Sequence, residues 1–164
     1  RLHKGHTVAD MALALEILAE VDLPVQTTWV PFTPWTSLDD YLIMLNWIRA
    51  RGLVQHVAAV QLSIRLLVPP GSALLDHDDR QQWLGHLDRP GFSYRWQHSD
   101  PRMDTLQQRV AVAAEKSHDH NPAEVFAQIE QLAYETAGKI QEKPVSAVVT
   151  PDIVPPRLTE DWFC

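Results

Sequence analysis

The sequence is very poor in cysteine: the only one among its 164 residues is Cys164, the last. An internal disulfide is therefore impossible, and we expect a reducing, cytoplasmic compartment. No apolar run approaches the roughly 18–20 residues that cross a bilayer, and the first residues do not form a signal peptide, so we expect no membrane partner. The net charge of −7 also disfavours nucleic acid as a partner, because phosphate binding requires a basic surface.

Common catalytic signatures are missing as well. The six glycines are scattered and form no phosphate-binding loop, and there is no His-Glu-x-x-His, paired Cys-x-x-Cys or Gly-x-Ser-x-Gly. The densest polar clusters are His77-Asp78-Asp79 and His118-Asp119-His120, and both residue types ligate divalent ions. Polar loops between helices also carry such residues, exposed to water. We prefer this second interpretation and assign no metal site.

The first 76 residues carry the pattern of an α/β fold. Thr7 with Asp10 predicts the start of a helix over 7–22, and Ser37 caps a second helix that ends near Gly52. The β-branched run 25–30 and the alternating run 57–67 predict strands. The order helix, strand, helix, strand is typical of βα units in a parallel sheet.

Two strands cannot complete such a sheet. An edge strand leaves a row of unpaired backbone groups, which promotes pairing with another chain. We therefore expect either a second copy, giving a homo-oligomer, or a part of the protein outside this sequence to supply the missing strands.

The pattern changes after residue 76. A short helix is predicted over 79–87 and an aromatic-rich loop over 89–99, and Asp100-Pro101 and Asn121-Pro122 each open a longer helix. We divide the chain into the βα segment 1–76, a helical extension 77–143 and an extended, proline-rich tail 144–164.

Candidate site residues lie on the predicted strands. Gln61 and Arg65 share one face of the strand 57–67; in a barrel this face would point to a ligand, and a buried Arg favours an anion. Alternatively, it is the solvent face of an edge strand. Trp29 and Trp35 would wall a substrate pocket at a strand end, or serve only as core aromatics under a loop.

Several stretches resemble radical S-adenosylmethionine (radical SAM) proteins. The similarity is to a group of (seleno)proteins with a Cys-Sec-Ala-Glu-Pro or Cys-Cys-Ala-Glu-Pro tail, and it covers nearly the whole chain. The stretches that carry it are Leu2-His3-Lys4-Gly5-His6-Thr7, Thr33-Pro34-Trp35-Thr36, residues 61–72, Tyr94-Arg95-Trp96, residues 100–104 and residues 158–164.

The resemblance implies a partial (βα) barrel, formed by the last strands of a six-fold barrel, followed by the helical extension. Full members bind a [4Fe–4S] cluster through Cys-x-x-x-Cys-x-x-Cys and cleave S-adenosylmethionine, and many relatives carry a cobalamin-binding-like domain. This chain departs from that pattern, because one cysteine cannot bind the cluster. We therefore expect no catalytic residue and no cofactor for this chain alone. By strand geometry, Gln61 and Arg65 are predicted to face S-adenosylmethionine or substrate in the parent enzyme, and Trp29 and Trp35 to line its substrate pocket.

The ends of the sequence agree with this expectation, since it opens without Met and stops on Cys164. A selenocysteine codon after Cys164 would be interpreted as a stop, which would end the chain there. The sequence thus predicts the C-terminal fragment of a radical SAM enzyme, inactive alone. The alternative is a stand-alone α/β binding or interaction module.

Overall fold

The structure is a computed structural model that describes residues 4–116 and 121–141. In chain order its helices and strands are α1 (Val8–Glu20), α2 (Leu38–Ala50), β1 (Leu84–Asp88), β2 (Ser93–Trp96), α3 (Pro101–Glu115) and α4 (Pro122–Ala137). Short 3-10 helices cover Leu53–His56, Ala59–Leu62, Ala73–Asp76 and Asp78–Gln82. The predicted mixture of helix and strand is confirmed. Within the described residues, no helix is long and apolar enough to cross a membrane.

The helix starts follow the capping residues. Thr7 Oγ1 accepts the Asp10 amide at 3.3 Å, and Asp10 Oδ2 accepts the Thr7 amide at 2.7 Å. Ser37 and Asp40 repeat this exchange at the start of α2, at 3.1 and 2.9 Å. Each pair satisfies backbone groups that the first helical turn leaves without a partner. These predicted boundaries are confirmed to within two residues, as are the starts of α3 and α4 after Asp100 and Asn121.

The predicted strands 25–30 and 57–67 are wrong as regular strands. Much of the second run forms tight turns, in which the Gln61 amide donates to Ala58 at 2.9 Å and the Ser63 amide to Val60 at 2.9 Å. The pairing between the two runs is reduced to one parallel bridge between Phe32 and Arg65. Phe32 both donates to and accepts from the partner segment, and Pro34, at the next ladder position, has no amide hydrogen to extend the pairing.

The predicted helix over 79–87 and loop over 89–99 are also wrong in large part. A 3-10 helix is followed by an antiparallel hairpin in which Leu84 pairs with Trp96 and Leu87 with Tyr94, with an irregularity between them. Gly85 permits this close pairing, because a Cβ there would lie 2.9 Å from the Arg95 carbonyl oxygen.

The main core lies between α2, α3 and α4, which pack on one another and on the adjoining 3-10 turns. Its fully buried side chains include Tyr41, Leu45, Ile48, Leu106, Val110 and Ile129. The Tyr41 hydroxyl donates to the Leu62 carbonyl at 2.9 Å, and burial raises the pKa of Tyr41 far above its usual value. A smaller cluster of Val68, Leu74, Trp83 and Trp96 lies under the hairpin. The predicted tail 144–164 and the cluster His118-Asp119-His120 lie outside the described residues.

Candidate functional site

Arg65 lies at the bridge and binds groups within the protein. Its Nη1 is 2.6 Å from Asp104 Oδ1, and its Nη2 donates to the Trp96 carbonyl at 2.7 Å. The guanidinium also stacks on the Trp96 ring, 3.6 Å from the ring centroid. The sequence pattern predicted that the Arg65 guanidinium would face a ligand. In the structure, its charge is instead paired with the carboxylate of Asp104 and stacked on the Trp96 ring.

The partners of Arg65 are themselves fixed in place. Asp104 Oδ2 accepts the His98 amide at 3.1 Å, and Trp96 Nε1 donates to the Leu66 carbonyl at 2.7 Å. Asp104 lies in the first turn of α3, where the helix dipole favours an acid. Arg65, Trp96 and Asp104 thus fasten the bridged segment to β2 and α3.

Gln61 is engaged elsewhere, so the structure does not bring it together with Arg65. Its Oε1 accepts the Trp29 amide at 3.1 Å and replaces a backbone partner of that residue. The two side chains were expected on one strand face, but the 3-10 helix Ala59–Leu62 interrupts the alternation that this expectation required.

The two tryptophans predicted to share a pocket are also separated. Trp29 packs edge-on against Trp47 of α2, with ring centroids 5.8 Å apart, and its Nε1 donates to Thr27 Oγ1 at 3.0 Å. Trp35 instead meets Trp83 edge-on, with centroids 5.3 Å apart. Only Trp35 lines the cleft described next.

A cleft of about 590 Å³ opens beside Trp35, and this volume is within the range of small-molecule sites. It lies where the chain leaves the bridged Phe32, between the N-terminal ends of α2 and α3. Its lining residues are Pro34, Trp35, Ser37, Leu38, Asp39, Asp79, Gln82, Trp83, His98, Ser99, Asp100, Arg102 and Ala137.

Two carboxylates of the cleft are paired with cations. Lys139 Nζ lies 2.7 Å from Asp39 Oδ1, and Arg102 Nη2 lies 2.7 Å from Asp100 Oδ2. The hydrogen bonds from the side chain and the amide of Arg102 hold the pKa of the Asp100 carboxyl below its usual value. The Trp35 and Trp83 side chains line the same cleft as these paired aspartates.

Sequence reasoning missed Trp83, His98 and Arg102 as members of this cleft. Trp83 belonged to a segment predicted as a helix, and the other two residues lie in segments that pack beside Trp35 only in three dimensions. The sequence offered one signal for Arg102. The Asp100-Pro101 pair marks the start of α3, which places Arg102 in the first turn of that helix, just after the hairpin. Within the described residues, which include His77-Asp78-Asp79, no three His, Cys, Asp or Glu side chains are grouped to hold a metal ion.

The chain matches no protein-family model, no curated protein and no solved structure.

Proposed function

We propose that this chain is the C-terminal part of a radical SAM enzyme, located in the cytoplasm, in which it supplies the last strands of a partial (βα) barrel and a helical extension. The supporting observation is the parallel bridge between Phe32 and Arg65. Parallel neighbours require a crossover connection, and α2 forms it here. The pairing is short, but its direction and its connecting helix agree with the topology that the resemblance implies.

The cleft supports the same proposal by its position. In barrels of parallel strands, ligands bind at the carboxyl ends of the strands. Trp35 follows the bridged Phe32 in that direction and lines the cleft. We propose that the substrate contacts Trp35 there. Trp29 remains a predicted pocket residue, although it packs on Trp47.

Gln61 and Arg65 remain the predicted positions nearest to S-adenosylmethionine or substrate. Their side chains already bind the Trp29 amide and the Asp104 carboxylate, respectively. A role in positioning the bridged segment therefore suits both residues better than direct contact with a ligand.

The [4Fe–4S] cluster would require ligands from another part of the parent. Clusters of this kind are held by cysteine thiolates, and residues 4–116 and 121–141 contain none. The described residues therefore do not fit the cluster, and the preceding half of the barrel would have to supply the three cysteines.

The DNA that flanks this reading frame tests the proposal. We expect a continuous upstream frame that encodes Cys-x-x-x-Cys-x-x-Cys. The full protein, reconstituted anaerobically with iron and sulfide, should form 5′-deoxyadenosine from S-adenosylmethionine, and a variant with alanine at the three cysteines should not. An upstream frame without this motif would contradict the proposal.

The chain alone provides a second test. Anaerobic reconstitution should leave it without visible cluster absorbance and without bound iron, because Cys164 is its only thiol. Stoichiometric iron with a broad visible absorbance would show that the chain holds a cluster by itself or through Cys164 of several copies. The proposed division of labour between the two halves would then be wrong.

A stand-alone α/β interaction module is the second candidate, favoured by the apolar residues that α1 exposes. This function predicts a cellular protein of about the mass of this chain, 18.6 kDa. Mass spectrometry of the native protein separates the two candidates, because the radical SAM parent would be much larger.

A further inference from the structure

His98 lines the cleft beside Trp35, in the connection between β2 and α3. Its backbone amide donates to Asp104 Oδ2 at 3.1 Å, and Arg65 Nη1 lies 2.6 Å from the other oxygen of the same carboxylate. The Arg65 guanidinium also stacks on the ring of Trp96, two residues before His98. These contacts fix the main chain at His98 relative to α3 and to the bridged segment.

The imidazole ring of His98 is fixed as well. The Asp100 amide donates to its Nδ1 at 2.9 Å. The Asp100 carbonyl oxygen also lies close to Nδ1, at 3.1 Å, but a backbone amide always carries its hydrogen, so Nδ1 is the acceptor. A neutral imidazole that accepts at one nitrogen carries its hydrogen on the other, which makes Nε2 the donor.

This leaves the Nε2 of His98 for a ligand. Within the described residues, the hydrogen bonding of the ring is confined to Nδ1. The residue is only partly buried and lines the cleft. Small-molecule sites combine apolar walls with a few polar groups that are held in place, and an oriented imidazole donor is a group of this kind.

The acids of the cleft already have partners within the chain. Lys139 binds Asp39, and Arg102 binds Asp100 through both Nε and Nη2. Asp79 accepts an indole N–H at 3.4 Å. A charged ligand would have to compete with these contacts, whereas a neutral ligand would not. The cleft therefore favours a neutral ligand.

The remaining lining favours a flat apolar group. Trp35 and Trp83 meet edge-on with ring centroids 5.3 Å apart, and Pro34 and Leu38 also line the cleft. Aromatic rings pack well on one another in edge-to-face or offset-stacked arrangements, so a planar ring of a ligand can add to this pair.

We propose that the cleft binds a neutral molecule that has a planar ring and a carbonyl oxygen. The ring packs against Trp35 and Trp83, and the oxygen accepts the hydrogen of His98 Nε2. That this molecule is the substrate rests on the proposed function, in which the substrate contacts Trp35. Arg65 and Asp104 act through the main chain of His98, so they are positioning residues of this site.

Nuclear magnetic resonance tests the ring before any ligand is added. Long-range proton–nitrogen correlation spectra distinguish the two nitrogens of a histidine, and His98 is assigned by the loss of its signals in His98→Asn. At about pH 8.5, where a histidine side chain is neutral, the hydrogen should be on Nε2. A hydrogen on Nδ1 would overturn the proposal.

Benzamide is the probe for binding, because it joins a phenyl ring to a neutral amide with a carbonyl oxygen. It should shift the signals of His98 and of the Trp35 and Trp83 indoles in a saturable way. Benzoate, the charged counterpart, should bind more weakly. Binding of benzoate as tight as that of benzamide would refute the neutral class.

The donor is tested by matched variants. His98→Asn keeps an acceptor near the position of Nδ1 but has no group at Nε2, and it should weaken benzamide binding about fivefold, as expected for one hydrogen bond. His98→Gln, which places an amide N–H near the position of Nε2, should retain more of the binding. His86→Asn, at an exposed histidine of β1, should bind benzamide like the wild type. Circular dichroism should show equal helix content in all four proteins.

No saturable binding of benzamide, or binding that His98→Asn leaves at wild-type strength, would overturn the proposal. A His98→Gln variant as weak as His98→Asn would also contradict donation from Nε2. These failures leave the proposed function standing, because that depends on the upstream cysteine motif. Conversely, an upstream frame without the motif would contradict the proposed function and leave the benzamide result unchanged.

Discussion

Helices α1 and α2 differ in burial although their local sequences are closely matched. Both have 13 residues, and both start at a hydroxyl residue that exchanges hydrogen bonds with an Asp three positions later. Yet α2 buries Leu38, Tyr41, Leu42, Leu45 and Ile48, whereas α1 buries none of its residues. The comparison shows that capping and composition specify a helix locally, while burial depends on what surrounds it.

The tertiary contacts of the two helices explain the difference. Helix α2 packs on α4 and on the 3-10 helix Leu53–His56. Helix α1 is held by partial packing of Leu15 and by the pair Glu16–Arg51 at 3.6 Å. Pairs exposed to this degree stabilise weakly, so within the described residues α1 is held far less firmly than α2.

The largest expected effect contrasts one leucine from each helix. Leu45→Ala should reduce the free energy of unfolding by about 3–5 kcal/mol, because Leu45 is fully buried and the change leaves a cavity. Leu13→Ala, at a residue 55% exposed, should change it by less than about 0.5 kcal/mol. Urea unfolding of both variants measures the difference. Equal losses would show that α1 is packed as firmly as α2.

The next largest effect concerns the link between α2 and α4. Glu130 is fully buried and accepts Arg49 Nε at 2.8 Å, with a second contact from Nη2. The hydrogen bonds to Glu130 raise the pKa of Arg49. Glu130→Gln should cost about 2–3 kcal/mol, since it leaves a partly buried guanidinium without its carboxylate. The exposed Glu135→Gln, which loses its charge opposite Arg109, is the control and should melt close to wild type.

Arg65 separates a structural role from a ligand-binding role. Arg65→Met should cost about 1–2 kcal/mol, because the guanidinium is part exposed and loses both Asp104 and the Trp96 ring. In a double-mutant cycle with Asp104→Asn, the two losses should not add. Melting temperature is measured on these variants, and S-adenosylmethionine cleavage is measured on the same variants of the proposed parent enzyme. Lost cleavage with unchanged melting would favour the ligand-facing prediction instead.

The smallest effect is a pH dependence of the two helix starts. Hydrogen bonds from the Thr7 side chain and amide lower the pKa of Asp10, and Ser37 lowers that of Asp40 in the same way. Because both folded pKa values are depressed, the stabilisation is present above the unfolded value of about 3.9 and is lost as pH falls through the folded value.

The loss of this capping stabilisation at low pH should be visible in α1 but not in α2, because α2 is also held by its buried residues. Between about pH 5 and about pH 2.5, the protection of amides against exchange, relative to their intrinsic rates at each pH, should fall first in the opening turn of α1. Asp10→Asn should remove the pH dependence in α1, and Asp40→Asn is the matched variant for α2. If both helices lose protection at the same pH, α1 is held by more than its cap.

The sequence specified the helices well because their signals are local. Thr7 with Asp10, Ser37 with Asp40, and the Asp-Pro and Asn-Pro pairs act within one turn, so the four helix starts followed directly. The strands were predicted less well. Alternation over 57–67 indicates a strand, but residues 58–63 form local turns instead, and only the end of the run pairs with the distant Phe32.

By itself, the sequence determined where α1, α2, α3 and α4 begin and that one cysteine cannot ligate a cluster. Only the tertiary structure decided that Arg65 binds Asp104, that Trp35 meets Trp83 and that Trp29 lies elsewhere. The physical reason is the range of the interactions. A helix cap is satisfied within four residues, whereas the partner of a guanidinium or the neighbour of an indole is chosen by how separate elements pack.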